Sequence, residues 1–224
     1  MDKYRVLRLY AIAFGTFALF LVFTCLFSGM FEANGVVIMR LAVFGGIFML
    51  LAIPAHLCGR FFLPLYGVSI ALNMLGSAFY AALYYAYAGM RPDFVLLVVS
   101  LLVPLLYLSV LFILVGMAPQ RARALCAAGT LVSLLFELLY LLLWVIFRNV
   151  FFSFGFFSMI IAFTMTLALC YTMKKEKPWT LRYASFAGFG YFSLIAIVVL
   201  AVITDGDVLG ELDFDFGPFK KRKK

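Results

Sequence analysis

Seven long runs of apolar residues, separated by short polar segments, dominate the chain. The runs cover residues 7–28, 36–57, 62–88, 94–117, 124–147, 150–173 and 182–204. Each has the length that an α-helix needs to cross the hydrocarbon core of a bilayer, about 20 residues. Their residues do not alternate between apolar and polar, as the strands of a membrane barrel do. Because backbone groups in lipid must be bonded within their own segment, we predict seven transmembrane helices.

The composition agrees with this pattern, since 67% of the residues are hydrophobic and only 12% are charged. Soluble domains are roughly half apolar and about a quarter charged. We therefore predict an all-α integral membrane protein, a polytopic bundle, with its transmembrane domain over residues 1–204. The first run is too long for the apolar core of a signal peptide and no small-residue cleavage motif follows it, so we interpret it as a true span.

The basic residues predict which way the bundle sits, because Lys and Arg favour cytoplasmic loops. If the N-terminus is cytoplasmic, ten basic residues lie at cytoplasmic helix ends and three at the opposite ends. The ten are Lys3, Arg5, Arg8, Arg60, Arg121, Arg123, Lys174, Lys175, Lys177 and Arg182; the three are Arg40, Arg91 and Arg148. We therefore predict a cytoplasmic N-terminus. The weakest boundary separates the fifth and sixth runs, because only two residues join them and one run could be re-entrant.

Residues 205–224 form a tail that is first acidic and aromatic and then polybasic. We predict that this tail is disordered. An alternative follows from the segment 211–216, "ELDFDF", whose strict alternation would place acids and apolar side chains on opposite faces of a strand. Such a strand could add to the sheet edge of a partner protein.

Two of the predicted helices carry a polar stripe along one face, because polar residues recur at steps of three and four. On the third run the stripe is Tyr66, Ser69, Asn73, Ser77, Tyr80, Tyr84 and Tyr87. On the fifth it is Cys126, Thr130, Ser133, Glu137, Tyr140, Trp144 and Arg148. Polar groups left in hydrocarbon cost free energy, so both stripes should turn inward. Their depths match, and we therefore predict that Glu137 contacts Asn73 or Ser77.

Glu137 is the acidic residue that lies well inside a predicted span. A charged carboxylate at mid-membrane costs several kcal/mol, so the group must keep its proton or share its site with a cation or water. We predict a polar cavity around it, lined by Glu137, Asn73, Ser77, Ser133, Tyr80 and Tyr140. The alternative interpretation is that the stripes only hold helices together, as Ser, Thr, Asn and Tyr commonly do in membranes.

Signatures of catalysis are missing from the sequence. It has no Ser/His/Asp set, no phosphate-binding glycine loop and no metal-ligand spacing among Cys25, Cys58, Cys126 and Cys170. His56 is the single histidine, beside Pro54, and we interpret it as a residue of the membrane interface. We expect no catalytic, metal-binding or cofactor-binding residues, and the balance is against an enzyme.

Two classes of function remain open. The first is a bundle that handles a small solute, protons or ions around Glu137. The second is a non-catalytic membrane subunit, scaffold or sensor module that packs against partner proteins. We expect the lipid bilayer, and either a membrane-protein partner or a second copy of the chain, as partners, but no nucleic acid. A bacterial inner membrane or plasma membrane is favoured over an organelle membrane.

Overall fold

The computed structural model describes residues 3–30, 35–174 and 180–204, and the chain is helical along nearly all of that length. The α-helices are α1 (Lys3–Ser28), α2 (Gly35–Cys58), α3 (Pro64–Tyr87), α4 (Phe94–Met117), α5 (Ala122–Phe147), α6 (Val150–Lys174) and α7 (Thr180–Ile203). A 3-10 turn, Pro119–Arg121, joins α4 to α5. Each helix coincides with one predicted run to within a few residues, which confirms the all-α polytopic bundle. The predicted tail, 205–224, lies outside the described residues.

The helices have the length and apolarity that a bilayer requires. Six of them are long and apolar enough to cross a membrane, and the described apolar part of α2 is the shorter segment Ala42–Cys58. The chain is therefore a multi-pass membrane protein. We call the end of the bundle at which α1, α3, α5 and α7 begin the N-terminal end, and the opposite end the far end.

The helices form two groups that share the centre of the bundle. In the first group α3 packs against α1, α2 and α7, and in the second α6 packs against α4, α5 and α7. Among the six helices that qualify as spans, α6 and α3 are the most buried and α5 is the most exposed. The lipid-facing side of α5 carries a row of exposed leucines, Leu131, Leu134, Leu135, Leu138, Leu139 and Leu142. An inward stripe on α5 must therefore face α6 or α4.

Close packing between helices depends on glycines that face aromatic rings. A Cβ placed on any of four glycines would lie inside contact distance of a ring: Gly45 with Tyr80, Gly59 with Tyr66, Gly76 with Phe192 and Gly155 with Tyr140. Small residues let helix backbones approach closely, and packing of this kind drives association in lipid. These contacts determine how each helix is rotated against its neighbour.

The turn between α5 and α6 produces two complete helices rather than a re-entrant pair. Arg148 adopts the left-handed conformation, with φ 45° and ψ 41°, and its N–H donates to the carbonyl of Trp144 at 2.8 Å. Asn149 then caps the N-terminus of α6, where its side-chain Oδ1 accepts the N–H of Phe151 at 3.0 Å. Tyr140 packs on Gly155, and the thiols of Cys126 and Cys170 lie within hydrogen-bonding reach. In these two contacts the residue number on α5 decreases as the residue number on α6 increases, so α5 and α6 form an antiparallel hairpin.

The Asn149→Ala variant should lower the free energy of unfolding by about 1 kcal/mol, because the first turn of α6 loses its capping oxygen. A titration with sodium dodecyl sulfate in mixed micelles measures the change. Asn149→Asp is the matched control, since its carboxylate can accept the same N–H and should leave stability near that of the wild type. Equal losses in the two variants would contradict a capping role.

Candidate functional site

The polar stripe of α3 is buried against α2 and α7. Asn73 and Ser77 have no exposed surface, and Tyr80 is 5% exposed. The Tyr80 hydroxyl donates a hydrogen bond to the carbonyl of Ala42 on α2 at 2.6 Å. Asn73 lies against α7, where a Cβ on Gly188 would meet its Nδ2 at 3.2 Å. The stripe thus points into the first group of helices.

Two hydrogen bonds of the α3 stripe remain within its own helix. Asn73 Nδ2 donates to the carbonyl of Ser69 at 2.9 Å, and the Ser77 hydroxyl donates to the carbonyl of Asn73 at 2.8 Å. Among the described residues, Asn73 Oδ1 and Ser69 Oγ are buried without a hydrogen-bond partner. The stripe therefore combines local bonds with two buried oxygens that have unused acceptor capacity.

The polar stripe of α5 faces the second group of helices. Ser133 is fully buried and donates to the carbonyl of Thr130 at 2.9 Å. Tyr140 is 6% exposed, and its ring lies on the backbone of Gly155 in α6. Glu137 lies between these two side chains on the same face and is half-buried. Its Oε2 atom is buried and has no hydrogen-bond partner in the described part of the chain.

The predicted contact between the two stripes at mid-membrane is wrong. Over the described residues, no Cα atom of α3 lies within 8 Å of a Cα atom of α5, and Glu137 forms no hydrogen bond to Asn73 or Ser77. The helices meet only near the far end, where Trp144 Nε1 donates to the Tyr84 hydroxyl at 2.7 Å. Equal depth did not bring the residues together, because each stripe is turned toward a different neighbour.

The helix register places Glu137 at one level with two serines of α4 and α6. Because Tyr140 faces Gly155 in the antiparallel hairpin, Ser158 of α6 lies opposite Glu137. The Ser158 hydroxyl is also buried without a partner among the described residues. On α4, Ser100 lies at the same level. The backbone carbonyl of Ser100 lacks the usual helical hydrogen bond, because Pro104 has no N–H. We call Glu137, Ser158 and Ser100 the mid-membrane layer.

A second polar cluster lies about two helical turns from this layer, toward the N-terminal end. The Tyr107 hydroxyl of α4 donates to the carbonyl of Gly129 at 2.7 Å and lies 3.1 Å from Thr166 Oγ1 of α6. The thiols of Cys126 and Cys170 meet one turn further along. We call these five residues the inner cluster. Polar groups thus continue from Glu137 toward one end of the bundle.

No positive charge lies at the level of Glu137 on the helices around it. Glu137 is roughly 22 Å along α5 from Ala122 and roughly 15 Å from Phe147, at 1.5 Å per residue. Neither α4 nor residues 150–172 of α6 contain lysine or arginine. The carboxyl group is therefore held in a mostly apolar layer without a cation.

Periodicity along the sequence does not reveal the residues of α4 and α6 in this site. Tyr107, Ser100, Ser158 and Thr166 are isolated polar residues in apolar runs, without the repeated spacing that revealed the stripes of α3 and α5. Pro104 was a visible signal, because a proline inside a span frees a carbonyl four residues earlier. The partners of that carbonyl depend on helix rotation, which periodicity within one helix does not define.

The described residues contain no group of three His, Cys, Asp or Glu side chains that could hold a metal ion. His56, the single histidine, is half-buried and its Nδ1 lies 2.8 Å from Ser185 Oγ on α7. Comparison with protein-family models, with curated proteins and with solved structures finds no match to this chain. Any function must therefore be argued from the arrangement of the site itself.

Proposed function

We propose that this protein handles protons within the membrane and that Glu137 is the group that binds and releases them. The observation that carries the proposal is the buried, unpartnered Oε2 of Glu137 at mid-membrane, with no cation at its level. Ionisable residues at that depth are expensive and typically belong to proton or ion pathways. A carboxyl group can remain there at low cost when it carries a proton, and it can pass that proton to a neighbouring oxygen.

The two polar regions supply acceptors on either side of Glu137. Toward the N-terminal end lie Ser133 and the inner cluster, with the Tyr107 hydroxyl between Gly129 and Thr166. Tyr107 and Cys170 are the titratable side chains of α4 and α6 that face α5 in this cluster. Toward the far end lie Tyr140 and the hydrogen-bonded pair of Trp144 and Tyr84. Water between these hydroxyl groups would complete a route for protons.

The candidate cavity predicted from the sequence takes a different form in this proposal. Glu137, Ser133 and Tyr140 remain together on α5, and Ser100 and Ser158 replace Asn73 and Ser77 as the groups at the same depth. Tyr80, Asn73 and Ser77 belong to the packing between α3, α2 and α7. Their hydroxyl and amide groups stabilise the bundle that holds α5 and α6 in position.

Glu137→Gln should abolish proton movement while leaving the bundle folded, because glutamine has the same shape but cannot exchange a proton under these conditions. The purified chain is placed in liposomes with an internal pH-sensitive dye, and proton entry is followed after a membrane potential is applied. We expect flux above protein-free liposomes for the wild type and a loss of about a hundredfold or more for Glu137→Gln, the usual range for an acid–base group. Glu137→Asp, which keeps the carboxyl group, should retain part of the flux.

Two outcomes would contradict this proposal. Wild-type flux equal to that of empty liposomes would show that the protein moves no protons, and equal flux in Glu137→Gln would show that Glu137 has no part in it. Infrared spectroscopy gives an independent measure, since the C=O stretch of a protonated carboxyl group should be present in the wild type and lost in Glu137→Gln. An ionised carboxylate at neutral pH, with no cation added, would also contradict the proposal.

The alternative of a non-catalytic membrane subunit is supported by the exposure of α5, which is the least buried of the six helices that qualify as spans. Glu137 lies at the border of this lipid-facing surface and is only half-buried. A partner helix with a polar group could cover it. In that case the wild type would show no proton flux, and Glu137→Gln would weaken co-purification with the partner under mild detergent. The two functions therefore give opposite results.

A further inference from the structure

Three arginines from distant parts of the chain line one cavity at the N-terminal end of the bundle. The cavity has a volume of about 540 Å³ and includes Arg8 of α1, Arg60 of the α2–α3 turn and Arg182 of α7. All three side chains are exposed at the surface of the protein. The distribution of Lys and Arg in the sequence predicts basic residues at this end of the bundle. It does not require three of them to share one cavity.

The wall of this cavity is rigidly built around Tyr66. A Cβ on Gly59 would lie 2.7 Å from the Tyr66 ring, so the α2–α3 turn depends on glycine to approach it. The other side of the ring meets His56 edge-on, with ring centroids 5.3 Å apart. His56 is in turn held by Ser185 of α7, at 2.8 Å. These contacts join α2, α3 and α7 and hold the turn that carries Arg60.

The electrostatics of the cavity favour an anion. Thr180 and Arg182 belong to the first turn of α7 and line the cavity, and the N-terminus of a helix carries partial positive charge. Arg182 also lies close enough to His56 for its charge to act on the imidazole. The carboxylates among the described residues are those of Asp93 and Glu137, and neither lines the cavity. Guanidinium groups match phosphate oxygens through paired hydrogen bonds.

The surroundings of the cavity favour a phosphate that approaches from the bilayer. The α2–α3 turn next to it exposes Phe61, Phe62 and Leu63 by 89%, 61% and 60%. A contiguous exposed apolar patch of this kind is typical of a surface that contacts a membrane. Leu63 also lines the cavity itself, so charged and apolar walls meet at one site.

We propose that this cavity binds a phosphate group, with the guanidinium groups of Arg8 and Arg60 as donors and the N-terminus of α7 as additional support. The group can come from the headgroup of an anionic phospholipid or from free phosphate, since both present the same oxygens. The exposed aromatic turn makes the headgroup the better fit. Arg182 contributes positive charge to the same cavity.

The test uses the purified full-length chain with two probes, phosphatidic acid added to phosphatidylcholine nanodiscs and inorganic phosphate added to the same nanodiscs without it. Binding is followed by native mass spectrometry and by the thermal unfolding midpoint. We expect Arg8→Gln and Arg60→Gln each to weaken binding by about tenfold or more, the effect of losing a charged hydrogen-bond donor. The controls are Arg121→Gln and Arg123→Gln, which remove the same charge at the same end of the bundle but outside the cavity.

Binding of phosphatidic acid alone would identify a lipid headgroup site, and binding of both probes would show that free phosphate also enters; each result supports the proposal if the cavity variants are selectively weaker. Equal weakening in cavity and control variants would mean general surface charge and would overturn it. No binding of either probe by the wild type would overturn it as well. If Arg60→Gln unfolds, Arg60→Lys keeps the charge without the planar fork, and affinity equal to the wild type would contradict the role of Arg60.

Discussion

Replacing Gly76 by alanine should lower the free energy of unfolding by about 1–3 kcal/mol, the usual cost of overpacking a close contact. The added Cβ would overlap the ring of Phe192 on α7. Phe192 is 2% exposed, and its ring packs edge-on against Tyr80 with centroids 5.7 Å apart. The ring therefore has little room to move aside, and α3 and α7 must separate. Titration with sodium dodecyl sulfate in mixed micelles measures the loss.

Gly67 provides the matched control on the same helix, because a Cβ there would meet nothing within 4 Å. Gly67→Ala should be neutral or gain up to about 1 kcal/mol from helix propensity. A second variant that combines Gly76→Ala with Phe192→Leu should recover part of the loss, since the smaller side chain leaves space for the methyl group. Equal stability of the two alanine variants would contradict the close packing of α3 on α7.

Removing the Trp144 ring should have the largest effect on stability, about 3–5 kcal/mol for Trp144→Ala. The ring is 6% exposed and fills the space between α3, α5 and α6. Its centroid lies 5.0 Å from that of Tyr84 and 5.5 Å from those of Phe156 and Phe157. Trp144→Phe keeps most of the packing and loses only the hydrogen bond to Tyr84, so its loss should be about 0.6–1 kcal/mol.

Double-mutant cycles distinguish where α3 and α5 are connected. Tyr84→Phe combined with Trp144→Phe should give a coupling energy of about 0.6–1 kcal/mol, because each single variant removes the same hydrogen bond. Glu137→Gln combined with Asn73→Ala should give additive effects, because the amide of Asn73 is bonded within α3 and lies against α7, whereas Glu137 is on the face of α5 that carries Tyr140 against α6. Coupling between Glu137 and Asn73, with none between Tyr84 and Trp144, would contradict the packing of α3 and α5 described above.

The two groups of helices differ in the chemistry of the polar groups that they bury. Both groups are held by ring-on-glycine contacts and by hydrogen bonds from tyrosine to backbone carbonyls, around α3 and around α6 alike. The second group, around α6, keeps a carboxyl oxygen and a serine hydroxyl buried without partners among the described residues. Asn73 and Ser69 of α3 also have buried oxygens without partners among the described residues, but only the oxygen of Glu137 belongs to an ionisable group. An ionisable group at mid-membrane is the costlier kind, which makes the region of Glu137 the better candidate for function.

The polar stripes show how far periodicity can be used. Spacing correctly placed Ser133, Tyr140 and Trp144 on one buried face of α5. On α3, Asn73, Ser77 and Tyr80 are buried as predicted, but so is every residue from Gly76 to Ala86, so burial does not distinguish the stripe there. Spacing also correctly separated α5 from α6 at Arg148 and Asn149. It failed on the partner of each face, because a depth estimate gives a position along the membrane normal and says nothing about which neighbour a helix turns toward.

The sequence by itself determined the number of helices and their approximate bounds, because a bilayer demands long apolar segments whose backbone groups are bonded internally. It also determined which face of α5 is buried, because polar groups turn away from hydrocarbon. Only the tertiary structure decided that Glu137 lies at the level of Ser158 in α6 rather than beside Asn73, and that Arg8, Arg60 and Arg182 share a cavity. Lipid excludes polar groups and so turns a polar stripe inward, but it does not select which neighbouring helix the stripe meets. That selection comes from the fit between single glycines and single rings on helices far apart in the chain, and this fit exists only once the helices are packed.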